Sequence, residues 1–344
     1  MSPDPSRFDN PATLIGTVYK KSQGLYTVRA EAGQLVPCAL SNRLRKVLIY
    51  PTAAPTSLHQ RVQAVKEIRD LDPVAVGDVV RATLAGDGTG LITEVQPRRT
   101  ALTRRAANDH GAGGRTAKEG FKTQVIAANV DQIVAVLTAA GPAPKWELLD
   151  RYLAAAELAG VGAFICLTKA DLLNDADAAE ALLAEVAVYE RLGYAVAVVS
   201  ATAACGLAEV RGCLQDRLSV FVGKSGAGKT TLLNALQPGL GLRVKAVNAA
   251  TGKGKHTTTH LEMFDLDGGG QVIDTPGVKE LSLASLVDYD LAYLFREMRP
   301  YLGQCQFGAT CSHSHEPGCA IKAAVAAGDI AERRYQSYLR MDAE

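Results

Sequence analysis

Residues 223–230 read Gly223-Lys224-Ser225-Gly226-Ala227-Gly228-Lys229-Thr230, with Thr231 behind them. They follow an apolar run, residues 218–222, and open a run with helical character that ends near Leu236. Strand, glycine loop and helix in that order, with G-x-x-x-x-G-K-T spacing, predict a phosphate-binding loop. Successive backbone N–H groups must converge on one phosphate chain, and glycines let the backbone come that close. The helix N-terminus adds its positive end. Lys229 offers a point charge to the β- and γ-phosphates, and Thr230 a hydroxyl to Mg²⁺. The competing reading is an ordinary Gly/Ser turn, and the Lys-Thr pair between the right flanking elements weighs against it.

Around this loop the chain alternates short apolar strands with amphipathic helices, from about residue 123 to residue 285. Strands are predicted at 130–138, 161–167, 194–199, 218–222, 260–266 and 271–273, and helices at 146–159, 176–191 and 207–214. Near-continuous apolar strands between helices predict a mostly parallel sheet covered on both faces.

Three further motifs surround the loop. Val272-Ile273-Asp274-Thr275-Pro276-Gly277 ends an apolar strand with an acid suited to Mg²⁺, and Gly277 can offer its N–H to a γ-phosphate. Leu167-Thr168-Lys169-Ala170-Asp171 resembles the guanine-reading N-K-x-D pattern, with Asp171 as acceptor for the guanine N1–H and N2–H₂. Adenine lacks that donor pair, so Asp171 gives discrimination. Thr168 stands where Asn is usual, and a hydroxyl in place of an amide predicts lower base affinity. Ser200-Ala201 matches the companion that supports the base with a backbone N–H.

These motifs run in rotated order: the base-reading pair precedes the phosphate loop, and Asp274–Gly277 comes last. Between loop and acid lies Thr251-Gly-Lys-Gly-Lys255-His256-Thr257-Thr258-Thr259. It fits a first switch in which Thr257 or Thr258 reaches Mg²⁺, or a plain basic loop. Val278 occupies the place where many GTPases orient water with Gln, which predicts slow intrinsic turnover. His256 is the nearest candidate for orienting that water, and a solvated loop histidine is the alternative.

The N-terminal part is different in kind. Residues 1–125 carry 18 basic and 11 acidic residues, and the remainder 19 and 25, although the whole chain is only +1. That asymmetry suits a polyanion partner, or simply a soluble face. Short β-rich runs at 14–20, 24–30, 35–40, 44–50, 76–84 and 90–95 predict a small Greek-key barrel of the oligonucleotide-binding (OB) type over 1–96. Residues 51–72 read as an insertion, partly helical around 58–68, and 97–122 as a basic glycine-rich linker.

At the other end, Cys305, Cys311, His313 and Cys319 lie within fifteen positions. Three thiols and an imidazole form a closed, structural Zn²⁺ set, with His315 a spare ligand. The metal would stabilise a module, 286–344, too small for a core of its own. Helices are predicted around it at 291–302, 321–327 and 330–339. No apolar run is long enough to span a membrane, and a cytoplasmic monomer is expected.

The rotated motif order, the Gly-Lys-x-Gly-Lys-His-Thr-Thr-Thr loop, Asp-Thr-Pro-Gly-Val and Cys-x-His-Ser-His-Glu-Pro-Gly-Cys together resemble the ribosome small-subunit-dependent GTPase A family, also called RsgA or YjeQ. Ala127-Ala-Asn-Val-Asp131-Gln and Leu149-Asp-Arg-Tyr-Leu153 belong to the same resemblance. The departures are Thr168, the insertion, and one extra residue between Cys305 and Cys311. The resemblance implies a GTP hydrolase, with Mg²⁺ and one zinc. It implies action late in assembly of the small ribosomal subunit, with barrel and zinc module on ribosomal RNA and turnover stimulated by the subunit. Two readings compete with it: a nucleotide-regulated RNA-binding module with negligible catalysis, and a P-loop ATPase or kinase.

Overall fold

The computed structural model describes residues 12–22, 24–45, 47–49, 64–67, 73–105, 123–240, 261–274 and 290–343. His256, Thr257, Thr258, Gly277 and Val278 lie outside them, as do most of 51–72 and residues 106–122.

The N-terminal strands are β1 (Thr13–Ser22), β2 (Leu25–Ala30) and β3 (Leu35–Leu40), followed by a short helix, α1 (Asn42–Arg45). A separate hairpin, β4 (Val47–Ile49) with β5 (Ala64–Glu67), precedes β6 (Val79–Leu84) and β7 (Gly90–Val95). Strand order is β1–β2–β3–β7–β6, and β6 returns to pair with β1. β3 and β7 run parallel, the other pairs antiparallel, which is the closed five-stranded OB barrel. Alternation fills it: Val18, Tyr26, Val28, Val36, Cys38, Val80, Ala82 and Ile92 point inward. Within the insertion, 64–67 is strand rather than the expected helix. Its Ala-Val-Lys-Glu run has no period-2 alternation, and it is the antiparallel partner at 47–49 that makes it a strand, which local periodicity cannot reveal.

The stretch read as a linker begins with strand β8 (Ala101–Arg105), antiparallel to β9 (Thr123–Ala128). Leu102 of β8 and Ile126 of β9 enter the core of the α/β domain. One buried leucine between basic neighbours is too weak a periodic signal to have predicted it.

The α/β domain then follows with β10 (Gln132–Thr138), α2 (Trp146–Ala159), β11 (Gly162–Thr168), α3 (Ala176–Arg191), β12 (Ala195–Val198), α4 (Leu207–Leu214), β13 (Leu218–Val222), α5 (Lys229–Leu236), β14 (Leu261–Asp265) and β15 (Gln271–Asp274). Its sheet order is β12–β11–β10–β13–β15–β14, parallel except for β14. Every residue of β10 and β13 is buried, because helices cover both faces. The edge strand β14 also pairs with β1, Lys20 opposite Glu262 and Lys21 opposite Leu261, so barrel and domain share one eleven-stranded sheet.

The C-terminal module holds α6 (Ala320–Ala327) and α7 (Glu332–Asp342). The helix expected over 291–302 is two 3₁₀ turns, Leu291–Leu294 and Arg299–Tyr301. The chain leaves helical backbone at Phe295, which is extended, and the second turn restarts with Pro300 near its first positions, where its missing N–H costs nothing. The module packs on α2 through Ala154 against Leu291, Phe295 and Met298. A buried charge network reinforces that contact. Arg334, 1% exposed, donates to Glu297 at 2.6 and 3.0 Å and to Asp150 at 2.6 Å. Arg333 reaches Asp150, Glu185 and Tyr189, and Glu157 takes Arg296 and Arg299. Among the described residues, no helix is long and apolar enough to cross a membrane.

Candidate nucleotide site and metal centre

β13 delivers the phosphate loop at the centre of the sheet. A Cβ on Gly223 would stand 2.3 Å from Val136 O of the neighbouring β10, so only glycine lets the chain leave the strand there. Gly226 and Gly228 have φ of +83° and +88°, which L side chains rarely adopt. Lys229 opens α5, and its Nζ donates to Gly223 O at 2.5 Å and Lys224 O at 3.1 Å. The ammonium thus sits inside the loop's curve. Burial holds its pKa below the usual lysine value, and the Asp274 carboxylate opposes that shift. Asp274 ends β15 beside Phe221 of β13, which brings the acid next to the loop. Thr230 and Asp274 offer the hard oxygen donors that Mg²⁺ prefers.

The turn at Thr168–Asp171, expected to read the base, packs directly on this loop. β11 ends at Thr168, Lys169 takes a left-handed φ of +59°, and Ala170–Leu172 forms a 3₁₀ turn. Ser200 Oγ donates to Asp171 Oδ1 at 2.6 Å, and this bond chiefly holds the carboxyl below its ordinary pKa. Thr202 extends the hydroxyl network, 2.9 Å from Ser200 Oγ. Ala201 follows Ser200 in the same loop.

Thr168 is tied to the loop by its side chain: Oγ1 is buried and lies 2.6 Å from Ala227 O of the phosphate loop and 3.1 Å from Leu137 O of β10. The hydroxyl ties the base turn to the phosphate loop. Lys145 is a residue that motif reading missed. It precedes α2 and lies beside Lys224, whose pKa is lowered by burial and by this second ammonium. No motif contains it, and only the fold brings it to the loop.

In the C-terminal module the donor atoms of Cys305, Cys311, His313 and Cys319 all lie within 4.8 Å of one another, and all four residues are buried. Cys305 Sγ is 3.8 Å from Cys319 Sγ and 3.5 Å from His313 Nδ1. Thiolates about 2.3 Å from one tetrahedral ion are separated by roughly 3.8 Å, so this set fits a closed metal site. His313 adopts φ +58°, and its carbonyl is held by Tyr335 Oη at 2.7 Å. His315 turns away, with Nδ1 2.9 Å from Ser314 Oγ on the exposed side.

An OB barrel, a parallel α/β domain whose phosphate loop comes late in the chain, and a three-cysteine, one-histidine module define a circularly permuted P-loop GTPase. The RsgA GTPase family model matches residues 95–284. The small ribosomal subunit biogenesis GTPase RsgA of Bacteroides fragilis is 35% identical, covering 95% of this chain and 96% of that one. Its counterpart from Azotobacter vinelandii is 42% identical over 78% and 74% of the two chains. The crystal structure of YjeQ from Thermotoga maritima superposes with a TM-score of 0.69 at 29% identity, covering 96% of this chain and 98% of that one. YloQ, described as a circularly permuted GTPase, gives 0.66 at 28% identity over 98% and 97%. The chain belongs to the RsgA GTPase family.

Proposed function

We propose that this chain hydrolyses GTP to GDP and phosphate as an assembly factor of the small ribosomal subunit, with the subunit as its stimulating partner. The observation that carries the reading is the junction of base turn and phosphate loop. Asp171 is oriented by Ser200, and the same turn is tied through Thr168 to Ala227. A guanine held by Asp171 therefore has its phosphates placed over Gly223–Thr230. The relatives' names supply the ribosomal partner.

In this reading Lys224, Ser225, Gly226, Ala227, Gly228, Lys229, Thr230 and Thr231 enclose the phosphates, while Thr168, Lys169, Asp171, Ser200 and Ala201 form the base side. Mg²⁺ bound at Thr230 and Asp274 would neutralise charge on the β- and γ-phosphates. Lys229 would bind those phosphates directly, and Gly277 would offer its N–H to the last of them. Thr257 or Thr258 would close the first switch, and His256 is the candidate for orienting water. We assign zinc to Cys305, Cys311, His313 and Cys319 on the softness of the donors and their spacing. The barrel and the zinc module would contact ribosomal RNA, in a cytoplasmic monomer. The domain divisions we adopt are 1–96, 97–122, 123–285 and 286–344, with β8 of the second division packed on the α/β domain through Leu102.

The test is GTP and ATP hydrolysis with and without purified small subunits. Slow GTP turnover that rises many-fold with subunits, without ATP turnover, is the expected result. Turnover indifferent to subunits would remove the ribosomal partner, and ATP preference would overturn the role of Asp171.

A further inference from the structure

The barrel meets the nucleotide site along a single row of the sheet. Lys20 of β1 stands opposite Glu262 of β14, Glu262 opposite Asp274 of β15, and Asp274 beside Phe221 of β13. Residues opposite one another on neighbouring strands share a face. Packing identifies that face. Phe221, Val272 and Phe264 pack with Leu232 and Leu233 of α5. Glu262 and Asp274 have the same parity as Phe264 and Val272, so they lie on the side of the helix that carries Lys229 and Thr230. Lys20 Nζ closes on Glu262 Oε2 at 2.8 Å, with side chains 41% and 36% exposed.

The far end of the β14–β15 hairpin is fixed separately. Tyr19 Oη donates to Asp265 at 3.0 Å, Arg29 pairs with Asp265, and Gln271 reaches both Asp265 and Tyr19. The hairpin is thus held at that end by contacts that involve neither Lys20 nor Glu262.

We infer that Lys20 is a positioning residue of the nucleotide site, supplied by the barrel: it neutralises Glu262, the carboxylate one strand from Asp274, and thereby sets how strongly Asp274 holds Mg²⁺. This rests on reading Asp274 as the Mg²⁺ acid. Neighbouring strands lie about 5 Å apart, so an uncompensated Glu262 adds a second negative charge beside the cation. Lys20 without Glu262 does the opposite. A polyanion that draws Lys20 away from Glu262 has the effect of deleting Lys20, which links occupancy of the barrel to metal retention with no displaced strand.

The experiment uses the full chain and a fluorescent N-methylanthraniloyl GDP, whose affinity and release are followed across a Mg²⁺ titration and in EDTA at low salt. Lys20→Met should lower the Mg²⁺ concentration needed for half-maximal retention by about threefold, and Glu262→Gln should raise it by about the same factor. The double variant and Lys20→Arg should stay near wild type. In EDTA any change in GDP affinity should have the opposite sign, because an uncompensated Glu262 repels the phosphates, and all shifts should shrink at high salt. A contact that merely stabilised the fold would move both single variants in one direction. That result, shifts of the same sign in EDTA as with Mg²⁺, or shifts below about 1.5-fold in the Mg²⁺ titration would overturn the inference. A wild-type chain whose GDP retention ignores Mg²⁺ would overturn the reading of Asp274 as the Mg²⁺ acid, and the inference with it.

Discussion

Replacing Thr168 by Val separates two roles that a base-reading motif can combine. Valine keeps the branched shape and removes the one proton that Oγ1 can donate. Ala227 O, 2.6 Å away, and Leu137 O, at 3.1 Å, then lose that donor in a site where Thr168 is 2% exposed. A buried carbonyl left without its donor costs about 1–3 kcal/mol. Only the Ala227 bond belongs to the loop, and a carbonyl tolerates partial loss, so about 1.4 kcal/mol is the relevant figure, or a tenfold weaker hold on nucleotide. Because the hydroxyl touches the phosphate loop, GTP, GDP and ADP should weaken together, and the GDP-to-ADP affinity ratio should hold. Asp171→Asn makes the contrast, since it alters the acceptor for guanine and should collapse that ratio. Competition titrations of GDP and ADP against a fluorescent nucleotide measure both variants. A Thr168→Val chain whose GDP-to-ADP ratio falls while ADP affinity is unchanged would refute the tether and return Thr168 to the base.

Three other perturbations test the frame around the site. Arg334→Met strands Glu297 and removes one of the partners of Asp150, so unfolding in urea with zinc present should show a loss of about 3 kcal/mol, and a loss under about 1 would show the network to be dispensable. Cys319→Ser should take bound zinc, measured by atomic absorption, from about one per chain to near none and expose the last helices to protease, with GDP affinity retained. Burial pushes the Glu157 carboxyl up, but hydrogen bonds from Arg299 and Arg296 outweigh it and hold its pKa below the ordinary value. Its stabilising contribution is therefore complete above about pH 4.3, the unfolded value, and is lost as pH falls through the lower folded value. Acid melting of Glu157→Gln should be correspondingly flatter than wild type below that pH.

What the sequence made legible was local. Gly223–Thr230 carries its own strand, glycines and helix start, and the three cysteines with His313 lie close enough to be read as one site. The OB barrel and the parallel sheet followed from alternation and from continuous apolar runs. What escaped was set by partners distant in the chain or by one residue against the trend. The bond from Thr168 to Ala227 spans 59 residues. Asp150, visible in Leu149-Asp-Arg-Tyr-Leu153 only as part of a resemblance, meets Arg334 across 184 residues. The run at 291–302, whose apolar spacing read as helix, is interrupted at the extended Phe295, and Leu102 gave too little signal to lift β8 out of a basic stretch.

The charge asymmetry shows the same limit from another side. The basic surplus of residues 1–125 reads as a surface for a polyanion, yet several of its cations are already committed. Lys20 pairs with Glu262, Arg29 with Asp265 and Arg99 with Asp131, all acids of the negative remainder of the chain. Arg98 is held by the buried Asp78 at 2.7 Å. Opposite charge on the two parts therefore helps to join barrel and α/β domain, from β1 and β2 to β14 and from Arg99 to Asp131. A polyanion arriving at the barrel must compete for some of these same cations. Under the proposal made for Lys20, partner binding and domain contact would draw on one set of charges, and a ligand on the barrel would be felt at Asp274.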